Sequence, residues 1–175
     1  MCRQVGAPPI RYSPVVLQLE PAESADDIVE VRGLLLEYEK SLGVDLCFQG
    51  FDRELATLPG DYAPPAGRLL LARVDDLVAG CVALRALEPG VCEMKRLFAR
   101  PEFRGRGVGR ALVHAVIAAA RAAGYARMRL DTMPSMREAI ALYRALGFRE
   151  TEPYRFNPVP GALYLELDLS AAAAG

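Results

Sequence analysis

The sequence lacks the residues that usually build a zinc site. It has a single histidine, His114, and its four cysteines, at positions 2, 47, 81 and 92, form no Cys-x-x-Cys pair. Because a structural zinc takes about four nitrogen or sulfur ligands from a close cluster, the sequence predicts no metal site. The same spacing gives no disulfide framework, so we expect free thiols in a reducing compartment.

An excess of charge of one sign and a long apolar run are also missing. The 21 lysines and arginines balance 22 aspartates and glutamates, which argues against binding nucleic acid or anionic membrane through bulk charge. No apolar run reaches the ~18–20 residues that cross a bilayer. The first residues, 1–14, lack the apolar core of a secretory signal. We therefore expect a cytoplasmic protein with neither nucleic acid nor membrane as a partner.

The chain does contain enough apolar material for one ordinary core. It has 175 residues, of which 52% are hydrophobic, which fits a single domain. The apolar periodicity predicts a strand, two helices, three antiparallel strands, a helix, a strand, a helix and two strands. That order predicts the α/β class with a mixed sheet. We predict one domain over residues 15–169, with flexible tails at 1–14 and 170–175.

Local signals place these elements along the chain. The predicted strands cover 15–19, 68–74, 78–87, 92–99, 127–131, 148–151 and 162–169. The predicted helices cover 24–40, 52–58, 109–123 and a last one that ends before Gly147. Ser135 and Glu138 have the spacing of a capping box, so we expect them to begin this last helix.

The most informative segment is a glycine- and arginine-rich run between a strand and a helix. It consists of Arg104, Gly105, Arg106, Gly107, Val108, Gly109 and Arg110. Alternate glycines let a pyrophosphate approach several backbone N–H groups without a Cβ in the way. The next helix adds unpaired N–H groups and the positive end of its dipole. Charge-assisted hydrogen bonds of roughly 1.5–3 kcal/mol each exceed the ~0.3–1 kcal/mol of the dipole, so hydrogen bonds should dominate.

Other interpretations of this run fit less well. A dinucleotide fingerprint, counted from Gly105 and Gly107, needs its third glycine where Arg110 stands, and a P-loop needs Gly-Lys-Ser/Thr. A glycine-rich turn whose arginines only face water is the alternative that stays open. On the following helix, His114 falls with Arg110 and Arg121 on the side opposite the apolar residues, so we interpret it as a surface residue.

Two motifs together resemble the GNAT acetyltransferase family. The run from Arg104 to Gly109 fits the family's Q/R-x-x-G-x-G/A acetyl-CoA motif, and residues 139–148 fit its A-x-x-L-Y-x-x-x-G-F element. The resemblance extends from Leu69 to about Leu169. It implies an acyl-CoA N-acyltransferase fold in which two central parallel strands, 92–99 and 127–131, splay apart.

The resemblance also implies acetyl-CoA as the cosubstrate and assigns residues to its parts. Backbone groups of Leu97, Phe98 and Ala99 would bind pantetheine, and backbone N–H groups from Gly105 to Arg110 would bind the pyrophosphate. One departure is Met136, which stands where many relatives carry an asparagine that contacts the cofactor.

The expected reaction transfers an acetyl group to a primary amine by direct attack in a ternary complex. Because an alkylamine has a pKa near ~10.4, it arrives protonated and a base must take its proton. The resemblance makes Glu93 the candidate base and Tyr143, near the CoA sulfur, the candidate acid. Glu93 has alternatives: a strand-end charge that binds substrate, or a partner of Lys95 or Arg96. Tyr143 has the alternative of packing only.

The remaining expectations concern the acceptor and other kinds of function. Arg155 either pairs with a carboxylate on a small-molecule or peptide amine or is a surface arginine. An acyl-cysteine at Cys92 is less favoured than a small buried strand residue, because no histidine is suitably placed. A non-catalytic acyl-CoA sensor is the alternative function, and a homodimer is an open alternative because dimers are frequent in the family.

Overall fold

The computed structural model describes residues 16–43, 46 and 50–170, and within them the chain forms a seven-stranded sheet in the order β1-β2-β3-β4-β5-β7-β6. The strands are β1 (Leu17–Pro21), β2 (Arg68–Val74), β3 (Leu77–Glu88), β4 (Val91–Ala99), β5 (Arg127–Thr132), β6 (Arg149–Glu150) and β7 (Leu163–Asp168). The helices are α1 (Ala25–Leu42), α2 (Phe51–Thr57), α3 (Val108–Ala122) and α4 (Arg137–Ala145).

The sheet is mixed, as predicted. β4 and β5 pair in parallel, and all other neighbouring strands pair antiparallel. Residues 1–15 and 171–175 lie outside the described residues, so the two predicted tails stay predictions apart from Ser170, which lies just after β7.

Helices cover both faces of the sheet. The first face packs against α3, whose buried residues include Val108, Leu112 and Val116. The opposite face packs against α1 and α2 through residues such as Leu34 and Phe51. Each of these side chains contributes roughly 1.5–3 kcal/mol by leaving water, so the two cores hold the sheet rigidly between helices. The polar side of α3 is exposed, including His114, as the sequence predicts.

The predicted capping box at the last helix is wrong. Helix α4 begins at Arg137, its N-cap is Met136, and no side chain caps it. Ser135 instead belongs to the tight turn after β5, in which the Met136 N–H donates to the Met133 carbonyl at 2.9 Å. A capping box does form at the start of α1, where the Ser24 and Asp27 side chains bond each other's backbone N–H groups.

The parallel strands β4 and β5 separate soon after they meet, as the family resemblance implies. Their register covers three pairs, from Val91 with Arg127 to Glu93 with Arg129, although β4 runs on to Ala99. β4 also bulges, because the pairs Cys81–Phe98 and Ala83–Lys95 leave two β4 residues opposite one β3 residue. The splay and the bulge fall on the same stretch of β4 and open the sheet there.

Two further findings concern what the described residues do not form. None of the described helices combines the length and apolarity that a bilayer span requires. No cluster of three or more His, Cys, Asp or Glu side chains in the described parts of the chain is placed to bind a metal ion. Cys81 and Cys92 are buried free thiols, and burial raises the pKa of each to about 12.

Candidate active site

The gap between β4 and β5 opens into a cleft with two adjoining parts, which share wall residues. The larger part has an empty volume of about 1740 Å3, including space open to solvent, and reaches the loop before α3. The smaller part lies within the splay of the two strands. Both parts are walled by Tyr38, Leu42, Leu97, Met133 and Met136, so they meet beside Leu97. We call the larger part the cofactor end and the smaller part the acceptor end.

The glycine-rich loop before α3 lines one side of the cofactor end. Gly105 and Gly107 have φ angles of 74° and 78°, and Gly107 is the N-cap of α3 with no side-chain cap. A Cβ added at either position would meet no atom within 4 Å. The first-turn N–H groups of α3 are therefore accessible to an anion in the cleft, which fits a ligand with a pyrophosphate.

Most residues predicted to bind the cofactor line this end of the cleft. They are Leu97, Phe98, Ala99, Arg104, Gly105, Gly107, Val108, Gly109 and Arg110. Arg106 does not line it, because its guanidinium lies over the Phe103 ring, 5.7 Å from the ring centroid. Met136 also lines the cleft, and its sulfur accepts a hydrogen bond from the Thr132 hydroxyl at 3.6 Å.

Tyr143 lies in the wall of the acceptor end. Its ring packs against Phe148, with 5.7 Å between the centroids, and only 4% of the residue is exposed. Burial raises the pKa of Tyr143 above its usual range, so the phenol keeps its proton at neutral pH. Packing and proton donation are therefore compatible for this side chain, and its role as an acid stays a prediction.

Glu93 is a fully buried carboxylate that is held by cations. One oxygen accepts hydrogen bonds from Arg155 at 2.7 Å and from the Tyr154 hydroxyl at 3.0 Å. The other lies 2.7 Å from a terminal guanidinium nitrogen of Arg85. Burial alone would raise its pKa, but Lys95, Arg155 and Arg85 outweigh burial and lower the pKa below its ordinary value. The carboxylate is therefore ionised, and its role as a base stays a prediction.

Lys95 lies two residues along β4 from Glu93 and is 7% exposed in the wall of the acceptor end. Burial lowers the pKa of Lys95 to about 7; Glu93 opposes this effect, and neighbouring arginines add to it. The next residue, Arg96, has a φ of 58° at the bulge. It makes two hydrogen bonds to Glu54, of 2.8 and 2.6 Å, and its guanidinium lies 5.0 Å from the Phe51 centroid.

Arg155 lies beside this end of the cleft and faces other groups of the protein. Its terminal nitrogen donates to Glu93 and lies 3.9 Å from Asp131. The carboxylate of Asp131 accepts a hydrogen bond from Asn157 at 2.8 Å, and both residues line the acceptor end. Binding of an acceptor carboxylate by Arg155 stays a prediction, and in this structure its guanidinium contacts two protein carboxylates.

Comparisons with known proteins agree with this geometry. The family model described as "Acetyltransferase (GNAT) family" matches residues 36–148. An uncharacterized N-acetyltransferase of Schizosaccharomyces pombe is 40% identical over 159 residues, which covers 90% of this chain and 98% of the relative. The chain belongs to the GNAT acetyltransferase family.

Solved structures share the GNAT fold. An acetyltransferase of the GNAT family from Staphylococcus aureus has a TM-score of 0.73 at 19% identity and covers 88% of this chain and 99% of its own. A Salmonella typhimurium acetyltransferase, whose structure holds acetyl-CoA, has a TM-score of 0.62 at 20% identity, with coverage of 90% and 96%.

Membership in the GNAT family confirms the predicted fold, the acyltransferase class and acetyl-CoA as the cosubstrate. The residues that sequence reasoning missed are at the acceptor end: Lys95, which it considered only as a partner of Glu93, together with Tyr38 and Asp131. Strand alternation carries a signal for Lys95, because Glu93 and Lys95 must share a face of β4. Nothing in the local sequence indicates that Tyr38 of α1 would meet the splay.

Proposed function

We propose that this GNAT chain transfers the acetyl group of acetyl-CoA directly to a primary amine, with both substrates bound at once. The observation that carries the proposal is the junction of the two ends of the cleft beside Leu97. A thioester held from the glycine-rich loop reaches that junction on one side. An amine in the acceptor end reaches it on the other, so the reacting atoms meet without an acyl-enzyme.

The glycine-rich loop supplies the hold on the cosubstrate. Backbone N–H groups after Gly105 and in the first turn of α3 bind the pyrophosphate, and the side chains of Arg104 and Arg110 add charge at the same wall. Acetyl-CoA supplies an activated acyl group. The residues of β4 supply its position, because Leu97, Phe98 and Ala99 border the part of the cleft that leads to the junction.

Tyr143 acts as the general acid in this proposal. It walls the acceptor end, and burial raises its pKa, so the phenol holds its proton at neutral pH. As the carbon–sulfur bond breaks, Tyr143 gives this proton to the leaving sulfur and recovers one from the new amide nitrogen. The bulge at Arg96 and Leu97 interrupts the pairing of β4 with β3, and backbone N–H groups at this position are our candidates to stabilise the developing oxyanion.

The acceptor enters as an ammonium, so one group must take its proton. Glu93 is the candidate from the sequence, and its proton affinity is low because Lys95, Arg155 and Arg85 surround it. Lys95 is a second basic group, and it lies in the cavity wall itself. For the acceptor we keep the prediction that Arg155 favours amines that carry a carboxylate.

Thiol release from acetyl-CoA, measured across amino acids, polyamines, aminoglycosides and peptide N-termini, tests the proposal. Tyr143→Phe should lower kcat by about 100-fold, because general acid catalysis typically contributes 10²–10⁴-fold. Its affinity for CoA, measured by calorimetry, should stay within about threefold, because the hydroxyl acts on the leaving sulfur.

Tyr125→Phe is the matched control. Tyr125 lies beyond the end of α3 and donates its hydroxyl to the Ala66 carbonyl at 2.8 Å, so its loss should leave kcat unchanged. Equal turnover by wild type and Tyr143→Phe would remove the acid role. Tight CoA binding with no amine-stimulated thiol release would instead favour a non-catalytic acyl-CoA sensor.

A further inference from the structure

The use of basic residues in this chain singles out Lys95. Of 21 basic residues, two are lysines, Lys40 and Lys95, and the others are arginines. Lys40 is exposed in the last turn of α1, whereas Lys95 is buried in the wall of the acceptor end. A guanidinium does not lose its proton under physiological conditions, whereas a buried lysine amine does. Lys95 is therefore a cation that can lose its proton, and it lies at the end of the cleft where the acceptor ammonium must give up a proton.

We propose that Lys95 is the general base of the reaction, an inference that rests on the proposed acetyl transfer to an amine. Lys95 shares the cavity wall with Tyr143 and Leu97, so this lysine and the candidate acid line the same space. Glu93 does not line that space. Its oxygens accept from Arg85, Arg155 and Tyr154, so an incoming ammonium would have to displace one of these donors to reach it.

The surroundings of Lys95 favour its neutral form. Among the residues that the structure describes, the charged and titratable groups around Lys95 are Tyr38 (α1), Glu54 (α2), Arg85 (β3), Glu93 and Arg96 (β4), Asp131 (β5), Tyr143 (α4) and Arg155 in the segment before β7. Of these described groups, three are arginines and three are carboxylates, so a protonated Lys95 adds a positive charge to a balanced set. Burial and the arginines together bring the pKa of Lys95 to about 7 against the pull of Glu93.

The proton transfers balance with Lys95 and Tyr143 alone. Lys95 takes one proton from the acceptor ammonium, and the freed lone pair bonds to the thioester carbonyl carbon. As the carbon–sulfur bond breaks, Tyr143 gives its proton to the sulfur and recovers one from the new amide nitrogen. Lys95 then releases its proton to solvent. The products are the N-acetyl amine, CoA thiol and one proton, as acetyl transfer from a thioester to an ammonium requires.

Glu93 becomes a positioning residue in this scheme. Its carboxylate raises the pKa of Lys95, which without that anion would be lower than about 7. It also fixes Arg155 and Arg85 beside the acceptor end by hydrogen bonds. Glu93 thereby keeps the amine basic enough to accept a proton.

The first test is a direct titration of Lys95. Because the chain has two lysines, protein labelled with ¹³C at lysine Cε gives two signals, which the exposed-site variant Lys40→Arg assigns. The Lys95 signal should move with a midpoint near pH 7 in the wild type. A Lys95 signal that stays in its protonated position up to about pH 9 would overturn the proposal.

The second test compares substitutions at Lys95, with the best amine from the panel as acceptor. Lys95→Arg keeps the cation but cannot accept a proton, and Lys95→Met keeps the length without the charge. Both should lower kcat/KM by about 100–1000-fold and remove the rise in rate near pH 7, while CoA affinity stays within about threefold. Recovery of the wild-type rate and pH profile by Lys95→Arg would show a merely electrostatic or structural role and overturn the proposal.

The third comparison separates Lys95 from Glu93. In Glu93→Gln, kcat/KM should still rise with pH, but the rise should move to lower pH, because the anion that raises the pKa of Lys95 is gone. If Glu93→Gln loses this rise and Lys95→Met keeps it, the base is Glu93, and this inference alone is overturned. Absence of turnover with every amine would overturn acetyl transfer itself.

Discussion

The cofactor end and the acceptor end of the cleft are built from different kinds of group. The centre of the cofactor end is one continuous segment, residues 104–110, whose arginine side chains are exposed and of which all but Arg106 line the cleft. The acceptor end is lined by charged side chains that lie far apart in the sequence, such as Lys95 and Asp131. Most of these side chains are buried. One end therefore depends on local conformation and the other on long-range packing.

Because of this difference, the two ends contribute differently to the stability of the fold. Exposed glycines in the left-handed region cost little when the backbone allows them, so the cofactor end is nearly neutral for stability. Burying an amine among arginines disfavours its charged form, so the acceptor end destabilises the fold at any pH below the ordinary pKa of a lysine, and most at and below about pH 7. Variants at the two ends should consequently differ in what they change.

The largest expected effect is on stability at the acceptor end. Lys95 is held at a pKa of about 7 in the fold against 10.5 for an ordinary lysine, so between these values the unfolded chain binds more protons. Wild-type stability therefore rises with pH through this window, and the penalty is fully present below it. Lys95→Met lacks this dependence. The free energy of unfolding of the variant minus that of the wild type should be about 2–4 kcal/mol larger at pH 6 than at about pH 9.5.

Urea unfolding at the two pH values measures this shift. Lys40→Met is the matched control, since Lys40 is exposed, and it should change stability by less than about 0.5 kcal/mol at both values. If the difference in free energy of unfolding between Lys95→Met and the wild type is the same at the two pH values, burial of the Lys95 amine does not destabilise the fold.

The next effect is on cofactor affinity at the other end of the cleft. Gly107→Ala forces a Cβ into a residue with a φ of 78°, which costs about 1–2 kcal/mol, and places a methyl group where the pyrophosphate approaches. CoA affinity measured by calorimetry should fall about 10–100-fold. The acceptor end should be unaffected, so the Lys95 titration should stay where it is in the wild type.

Gly124→Ala separates strain from contact. Gly124 lies just beyond the other end of α3 with a φ of 83° and open space for a Cβ, so the backbone strain is matched. This variant should lose similar stability but keep wild-type CoA affinity. Equal losses of CoA affinity in the two variants would mean that strain in α3, and not the approach of the anion, explains the effect at Gly107.

The same contrast explains which parts of the molecule the sequence predicted. The strands and helices were located to within about two residues where apolar periodicity was strong. The glycine-rich loop was singled out because its glycines and the start of α3 are adjacent in the chain. The acceptor end was only partly found. Glu93 was singled out as a candidate base, but its partners Arg85, Tyr154 and Arg155 come from other strands and loops, and no local pattern predicts that convergence.

The smallest effect tests the one local signal that failed at the cofactor end. Ser135→Ala should change the free energy of unfolding by less than about 0.5 kcal/mol, because Ser135 does not cap α4 and lies in the turn before it. Ser24→Ala should cost about 1 kcal/mol, because the Ser24 hydroxyl caps α1 by accepting from the Asp27 N–H at 3.1 Å. Urea unfolding of the two variants side by side checks this difference. An equal loss of free energy of unfolding in both variants would mean that the Ser135 side chain does cap α4 in solution. The start of α4, which lines the cofactor end, would then be stabilised by the capping box that the sequence predicts.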